Sequence, residues 1–219
     1  MACYVRQMNK EDVDQVHEID REAFPTQWPA PNYQSELRNQ LAHFSVVCDE
    51  EKQVAQPGGA TALEKTRGGL AAVLRRWFSG NRSSDYKPPS TAGHYIVGFV
   101  GSWIMSDEAH ITTIAVREGY RRQGIGEMLL ISAIELAMKL KADILTLEVR
   151  VSNTGAQSLY SKYGFTQVGL RRAYYTDNRE DALIMSTDKI ASPSFQARFQ
   201  QLKQGYATKA SATKATPPK

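Results

Sequence analysis

The sequence predicts an α/β fold in which helices flank a sheet, and three observations point there. Runs of strand character recur along the chain: His94 to Ile104 is long and apolar, while Ile111 to Val116 and Ile144 to Val149 alternate. The polar turn Ser106-Asp107-Glu108 separates the first two runs as a hairpin turn would. After Gly126 comes a helical stretch (Met128, Leu129, Leu130, Ile131, Ile134, Leu136, Ala137, Met138, Leu140) that is apolar on most faces and needs a sheet to be buried against. At 219 residues the chain can bury one substantial core.

In order, Tyr4 to Met8 reads as a short strand. Asn9 with Asp12 three residues on forms a capping pattern, and Val13, Val16, Ile19 and Ala23 then recur at helical spacing. Pro25, Pro29 and Pro31 stop that helix and shape a loop holding Phe24 and Trp28. A second helix is expected over Tyr33 to Leu41 and a strand over His43 to Cys48. Beyond the Ile144 strand, Ser152-Asn153 turns the chain into a short helix reaching Tyr163, which Gly164 ends. Phe165 to Tyr175 and Asp181 to Ser186 read as the last strands.

Two segments stand outside this pattern. Residues 51–93 carry Pro57, Gly58, Gly59, Gly68, Gly69, Pro88 and Pro89 and read as an inserted loop. Within it, Leu70, Val73, Leu74, Trp77 and Phe78 share one helical face opposite Arg75 and Arg76, a short amphipathic helix expected to dock on the parent core. Residues 191–219 form a basic tail expected to be mostly disordered, apart from one helix bearing Phe195, Phe199 and Leu202 behind a Ser194 cap. The expected organisation is thus one domain over 1–190, interrupted at 51–93, and a tail.

The net charge of +4 divides unevenly. Residues 1–50 hold four Lys/Arg against nine Asp/Glu, residues 51–93 seven against three, residues 94–191 eleven against eleven, and residues 192–219 five against none. The basic excess lies in the appendages, which argues against direct nucleic-acid binding by the core. Cys3 and Cys48 are the two cysteines, far apart and outside any C-x-x-C spacing, so neither a disulfide framework nor a zinc site is expected, and the usage fits a reducing cytoplasm. His17, His43, His94 and His110 show no ligand spacing, so no metal is expected. There is no apolar stretch of membrane-spanning length and no secretory signal pattern.

The chemistry gathers at ITTIAVREGYRRQGIG, Ile111 to Gly126, where an alternating strand runs through a polar turn into the long helix. Backbone N–H groups at a helix start make an anion site, glycines let a phosphate approach, and Arg121 and Arg122 add charge. The Walker A spacing fails because Ile125 follows Gly124, and the dinucleotide fingerprint fails because Leu129 holds its third glycine place. An R-x-x-G-x-G pyrophosphate loop is satisfied by Arg121, Gly124 and Gly126. Downstream, alternation puts Thr146, Glu148 and Arg150 on one face of their strand and Leu145, Leu147 and Val149 on the other. Glu148 in so apolar a strand is either paired with Arg150 on its own face or poised as a general base.

With its neighbours, this loop resembles that of the GNAT superfamily of N-acetyltransferases, and within it the ribosomal-protein-alanine (RimI) type. The resemblance covers residues 1–50 and 94–190 and is closest in IAVREGYRRQGIGEMLL, LEVRVSNTGAQSLYSKYGF and RRAYYTDNREDALIM. It implies a mixed, mostly antiparallel sheet flanked by helices and splayed at the strand that meets acetyl-CoA. It implies that the backbone of Ile114, Ala115 and Val116 pairs with the pantetheine arm. Arg122, Gln123, Gly124, Ile125, Gly126 and Glu127 would hold the pyrophosphate through backbone N–H groups, helped by the Arg121 and Arg122 side chains, with Asn153 as a further contact. Glu148 matches the family's base and Tyr160 its proton donor to the departing thiolate. Phe24, Trp28, Tyr174 and Tyr175 would flank the acceptor peptide.

The activity implied is direct transfer of acetyl from acetyl-CoA, in a ternary complex, to a protein N-terminal amine, that of an alanine-initiated small-subunit ribosomal protein. A lysine side chain or small amine is the alternative acceptor, although a lysine near pKa 10.4 asks more of one carboxylate than an α-amine near 8. A non-catalytic ribosome- or nucleic-acid-binding module using the basic appendages is the other alternative.

Overall fold

A computed structural model describes residues 2–26, 31–53 and 93–215 of the protein. Trp28, the amphipathic segment from Leu70 to Phe78 and most of the expected insertion lie outside the described residues. Along the chain come β1 (Cys3–Gln7), α1 (Val13–Ala23), α2 (Tyr33–Glu36), β2 (Ala42–Gln53), β3 (His94–Met105), β4 (Glu108–Val116), α3 (Ile125–Lys139), β5 (Ile144–Arg150), α4 (Thr154–Lys162), β6 (Phe165–Tyr175), β7 (Glu180–Thr187) and α5 (Pro193–Ala215). The strands form one sheet in the order β1-β2-β3-β4-β5-β7-β6, antiparallel throughout except for β4 beside β5.

Local sequence explains most boundaries. The Asn9–Asp12 capping box is present in a 3-10 turn that leads into α1. Helix α2 is shorter than expected, ending at Glu36, because the Asn39 side chain accepts the Leu41 N–H (3.0 Å) and draws the chain out of the helix. Strand β2 runs three residues into the segment read as insertion.

Each face of the sheet carries a core. Val16 and Ile19 of α1 and Tyr33 of α2 meet Val46, Ile96 and Phe99 on one side. On the other, Leu129, Leu130 and Ile134 of α3 cover Val97, Ile111, Leu145 and Leu147. The alternation along β5 thereby turns Glu148 away from α3, towards the α1 side.

The expected splay is present. Strands β4 and β5 pair over only four positions, from Glu108 opposite Ile144 to Ile111 opposite Leu147. Just there β4 bulges against β3: Gly101 faces Thr113 and Ser102 faces Ile111, leaving Thr112 as the extra residue. A bulge sharpens strand twist, and past it β4 follows β3 while β5 follows β7.

Where a mostly disordered tail was expected, residues Pro193–Ala215 form one helix, capped by the Ser192 hydroxyl accepting the Phe195 N–H (3.3 Å) and not by Ser194. Phe195 and Phe199 are buried in the α3-side core, and Arg198 donates to the carbonyls of Ser161 and Lys162 at the end of α4. Low-complexity composition describes the isolated segment, whereas docking of these aromatics carries the helix.

Candidate active site

The splay opens a cavity of about 830 Å³. Glu148 of β5, Tyr160 and the capping Asn153 of α4, Ile114 of β4, Phe24 after α1, and Tyr174 and Tyr175 of β6 all line it. Ala115 and Val116 continue β4 beyond the cavity, Ala115 facing the α1-side core. The two aromatics of β6 reach the cavity through a second irregularity: between Arg171 and Tyr175 the strand carries extra residues, with Ala173 in the left-handed region (φ 47°) and its N–H bonded to Asp181.

Glu148 is not paired with Arg150. Its side chain is 8% exposed, with Oε2 3.1 Å from His110 Nε2 and Oε1 3.0 Å from Arg171 Nη2. Arg150 pairs instead with Asp177 and Glu180 and lies 3.8 Å over the Tyr175 ring. His110 is fixed from behind. Thr146 donates its hydroxyl proton to Glu108 (2.5 Å), so its oxygen accepts from His110 Nδ1–H (2.9 Å). That bond orients the ring so that its other nitrogen, Nε2, faces Glu148 Oε2. Neither His110 nor Arg171 was singled out from the sequence as a site residue. His110 carried a faint signal, a polar residue in an alternating strand, while nothing local marked Arg171.

Tyr160 is buried, and burial, followed by the neighbouring Tyr175, pushes its phenol well above the ordinary range. Its hydroxyl has no hydrogen-bond partner among the described residues and stays protonated at neutral pH. Burial also raises Tyr175, to about 12. Across the cavity mouth the Thr26 hydroxyl donates to Asp177 (2.8 Å), joining the loop after α1 to the β6–β7 turn. Asp20, buried at the same cavity, accepts from Tyr33 (2.7 Å), and burial raises its carboxyl.

The phosphate-loop residues lie past the end of β4, outside the cavity lining. Gly124 is the N-cap of α3 in the left-handed conformation (φ 86°), which glycine adopts without strain, and no side chain caps the helix there. The first amides of α3, those of Ile125, Gly126 and Glu127, are thus left for a ligand. Gln123 braces the turn by donating to the Gly119 carbonyl (2.8 Å), and the exposed Arg121 bonds the Val116 carbonyl (3.2 Å). Arg122, itself left-handed (φ 63°), reaches to the start of α4, where a Cβ placed on Gly155 would lie 3.9 Å from Nη1. Two helix starts and a guanidinium suit a pyrophosphate. The Glu127 side chain turns aside to accept from Tyr163 (2.7 Å) and to pair with Lys162. Asn153 spends its side-chain oxygen on capping α4 (3.2 Å to the Ala156 N–H). One buried polar atom at the cavity, the Thr113 hydroxyl, has no hydrogen-bond partner among the described residues. Unpaired β4 backbone, free amides and this hydroxyl fit an extended, amide-bearing, phosphorylated ligand such as acetyl-CoA. Among the described residues no group of three or more His, Cys, Asp or Glu side chains could hold a metal, and no helix is long and apolar enough to cross a membrane.

Comparison with known proteins gives the family. The sequence model of the acetyltransferase (GNAT) family matches residues 85–165. A Bacillus subtilis (strain 168) protein provisionally named ribosomal protein bS18-alanine N-acetyltransferase is 38% identical over 182 residues, 83% of this chain and 92% of that protein. The ribosomal protein bS18-alanine N-acetyltransferase of Escherichia coli (strain K12) is 43% identical over 112 residues, 50% of this chain and 76% of that protein. The crystal structure of the ribosomal-protein-S18-alanine N-acetyltransferase from Escherichia coli superposes with a TM-score of 0.60 at 25% identity, covering 88% of this chain and 97% of that one. With a relative this similar along nearly its whole length, and the same fold, the chain belongs to the GNAT family of acetyltransferases.

Proposed function

We propose that the protein transfers the acetyl group of acetyl-CoA to the α-amine of a protein N-terminus, that of an alanine-initiated ribosomal protein, in the cytoplasm. The observation that carries this reading is the convergence of a nearly buried carboxylate, Glu148, and a protonated phenol, Tyr160, on one cavity at the β4–β5 splay. The names of the relatives support the choice of acceptor.

In this reading the backbone of Ile114, Ala115 and Val116 pairs with the pantetheine amides, and the α3 amides with Arg121 and Arg122 hold the pyrophosphate. The acceptor enters between Phe24 and the Tyr174–Tyr175 segment. Glu148 takes a proton from the α-ammonium, directly or through water, and His110 with its Thr146–Glu108 support holds that carboxylate in place. The freed amine attacks the acetyl carbonyl carbon, the carbon–sulfur bond breaks, the second proton shed by the nitrogen as the amide forms passes to water, and Tyr160 gives its proton to the leaving thiolate and regains one from solvent. The amine nitrogen and not a cysteine is the nucleophile, since Cys48 is buried in the α1-side core and Cys3 lies on the edge strand β1. The test is intact-mass analysis of peptides incubated with acetyl-CoA, varying the first two residues and blocking the N-terminus. A single acetyl on free alanine N-termini supports the reading. Acetylation of N-terminally blocked, lysine-bearing peptides at equal rates overturns it.

A further inference from the structure

Glu148 has two oxygens, and both are engaged: Oε2 by His110 and Oε1 by Arg171. These two partners are not equivalent. His110 is 25% exposed and held on its far side by Thr146, itself bonded to Glu108, so releasing it breaks its contact with Thr146 as well as that with Glu148. The Arg171 side chain is 54% exposed and its other contact is a loose one over the Tyr174 ring, 5.5 Å from the centroid. It stands on the β6 edge of the sheet, immediately before the irregular stretch that ends at Tyr175. An acceptor amine has to come within hydrogen-bond reach of the carboxylate to lose its proton to it. As an ammonium it is also repelled by a guanidinium on the same oxygen. Among the described residues Arg171 is the one Lys or Arg side chain within ion-pair distance of Glu148: Arg150, on its own strand, is committed to Asp177 and Glu180.

We propose that Arg171 is a placeholder for the acceptor, holding Oε1 of Glu148 and exchanging with the acceptor's ammonium group when the peptide binds. Arg171 then swings into water, still near the Tyr174 face. It acts through Glu148 and is a positioning residue, one that tunes how tightly an amine is held at the base. The exchange keeps one cation on a nearly buried carboxylate at every stage, which avoids the cost of leaving it bare. The inference rests on the acceptor being an amine, as proposed above.

The test is steady-state kinetics of Arg171→Gln and Arg171→Lys with an alanine-initiated peptide at saturating acetyl-CoA. Removing the competing cation in Arg171→Gln should lower the peptide KM about three- to five-fold, the factor that corresponds to a partly exposed ion pair. The KM for acetyl-CoA should not move, and Arg171→Lys, which keeps the charge, should stay near the parent value. An unchanged or raised peptide KM in Arg171→Gln overturns the proposal, and a fall in kcat alone assigns Arg171 to support of the base instead. If the parent enzyme turns over no free-amine peptide, the proposed function fails and this inference with it. Turnover by the parent with no KM change in the variant refutes the exchange alone.

Discussion

Glu148→Gln is the most informative perturbation of this site. The amide fits the space: its oxygen can accept from Arg171, and its N–H can donate to Nε2 of His110, whose other nitrogen already bonds Thr146. The loss of charge falls mainly on the half-exposed Arg171 contact, on the order of 1 kcal/mol or less, so the fold survives. The catalytic cost is larger. Positioned bases contribute about 10²–10⁴-fold, or roughly 3–5 kcal/mol at about 1.4 kcal/mol per decade. An α-amine near pKa 8 is about one-tenth neutral at pH 7, so loss of prior deprotonation alone leaves about a tenth of the rate. Loss of proton uptake during attack lowers it further. The expected outcome is a kcat about 10²-fold lower at pH 7, narrowing about tenfold towards pH 9 as solvent supplies the free amine, with the acetyl-CoA KM within about two-fold. Initial rates of thiol release across that range measure it. Unchanged turnover at pH 7, or a defect lying wholly in the acetyl-CoA KM, would refute the role assigned to Glu148.

Tyr160→Phe should lower kcat only about tenfold in the same assay, because a thiol of pKa about 8.5 leaves tolerably as the thiolate; a larger loss than that of Glu148→Gln would contradict the assignment. Gly98→Ala would put a Cβ 2.8 Å from the Ala115 carbonyl oxygen and 3.2 Å from the Ile125 and Leu129 side chains. The backbone contact cannot yield cheaply, so a loss of about 1–3 kcal/mol is expected in thermal unfolding, with a raised acetyl-CoA KM because β4 is displaced. The Ser152 hydrogen bonds, and after them Arg150 and Asn178, hold the Glu180 carboxyl down from its ordinary 4.5 to about 2. A depressed carboxyl stabilises the fold above its unfolded pKa and ceases to do so as pH falls through the folded one. The Tm difference between parent and Glu180→Gln should therefore be full above pH 4.5 and vanish as pH falls through about 2; a difference that persists at the acid end would mean the pairing is not electrostatic.

Legibility in the sequence followed the range of the interactions. The phosphate turn needs only neighbours along the chain: a glycine able to take a positive φ at 124, a helix start with no capping side chain, and two arginines. Its form was readable before any fold was known. The face of Glu148 was equally local, because alternation in a strand has period two whatever lies beside it. What Glu148 touches was not local. Arg150 shares its face and looked the natural partner, yet the β6–β7 turn brings Asp177 and Glu180 to Arg150 and leaves Glu148 to His110 and Arg171. Those partners stand 38 and 23 residues away in sequence and arrive through the parallel β4–β5 register and the run of β6. The start of α5 was legible in the spacing of Phe195, Phe199 and Leu202, whereas its continuation to Ala215 through a low-complexity stretch was not. Residue spacing alone determined the chemistry on offer at the turn and the strand. Sheet order, the bulge at Thr112 and the irregular end of β6 decided which side chains share a cavity, because pairing between distant strands depends on global packing that no short window of sequence contains.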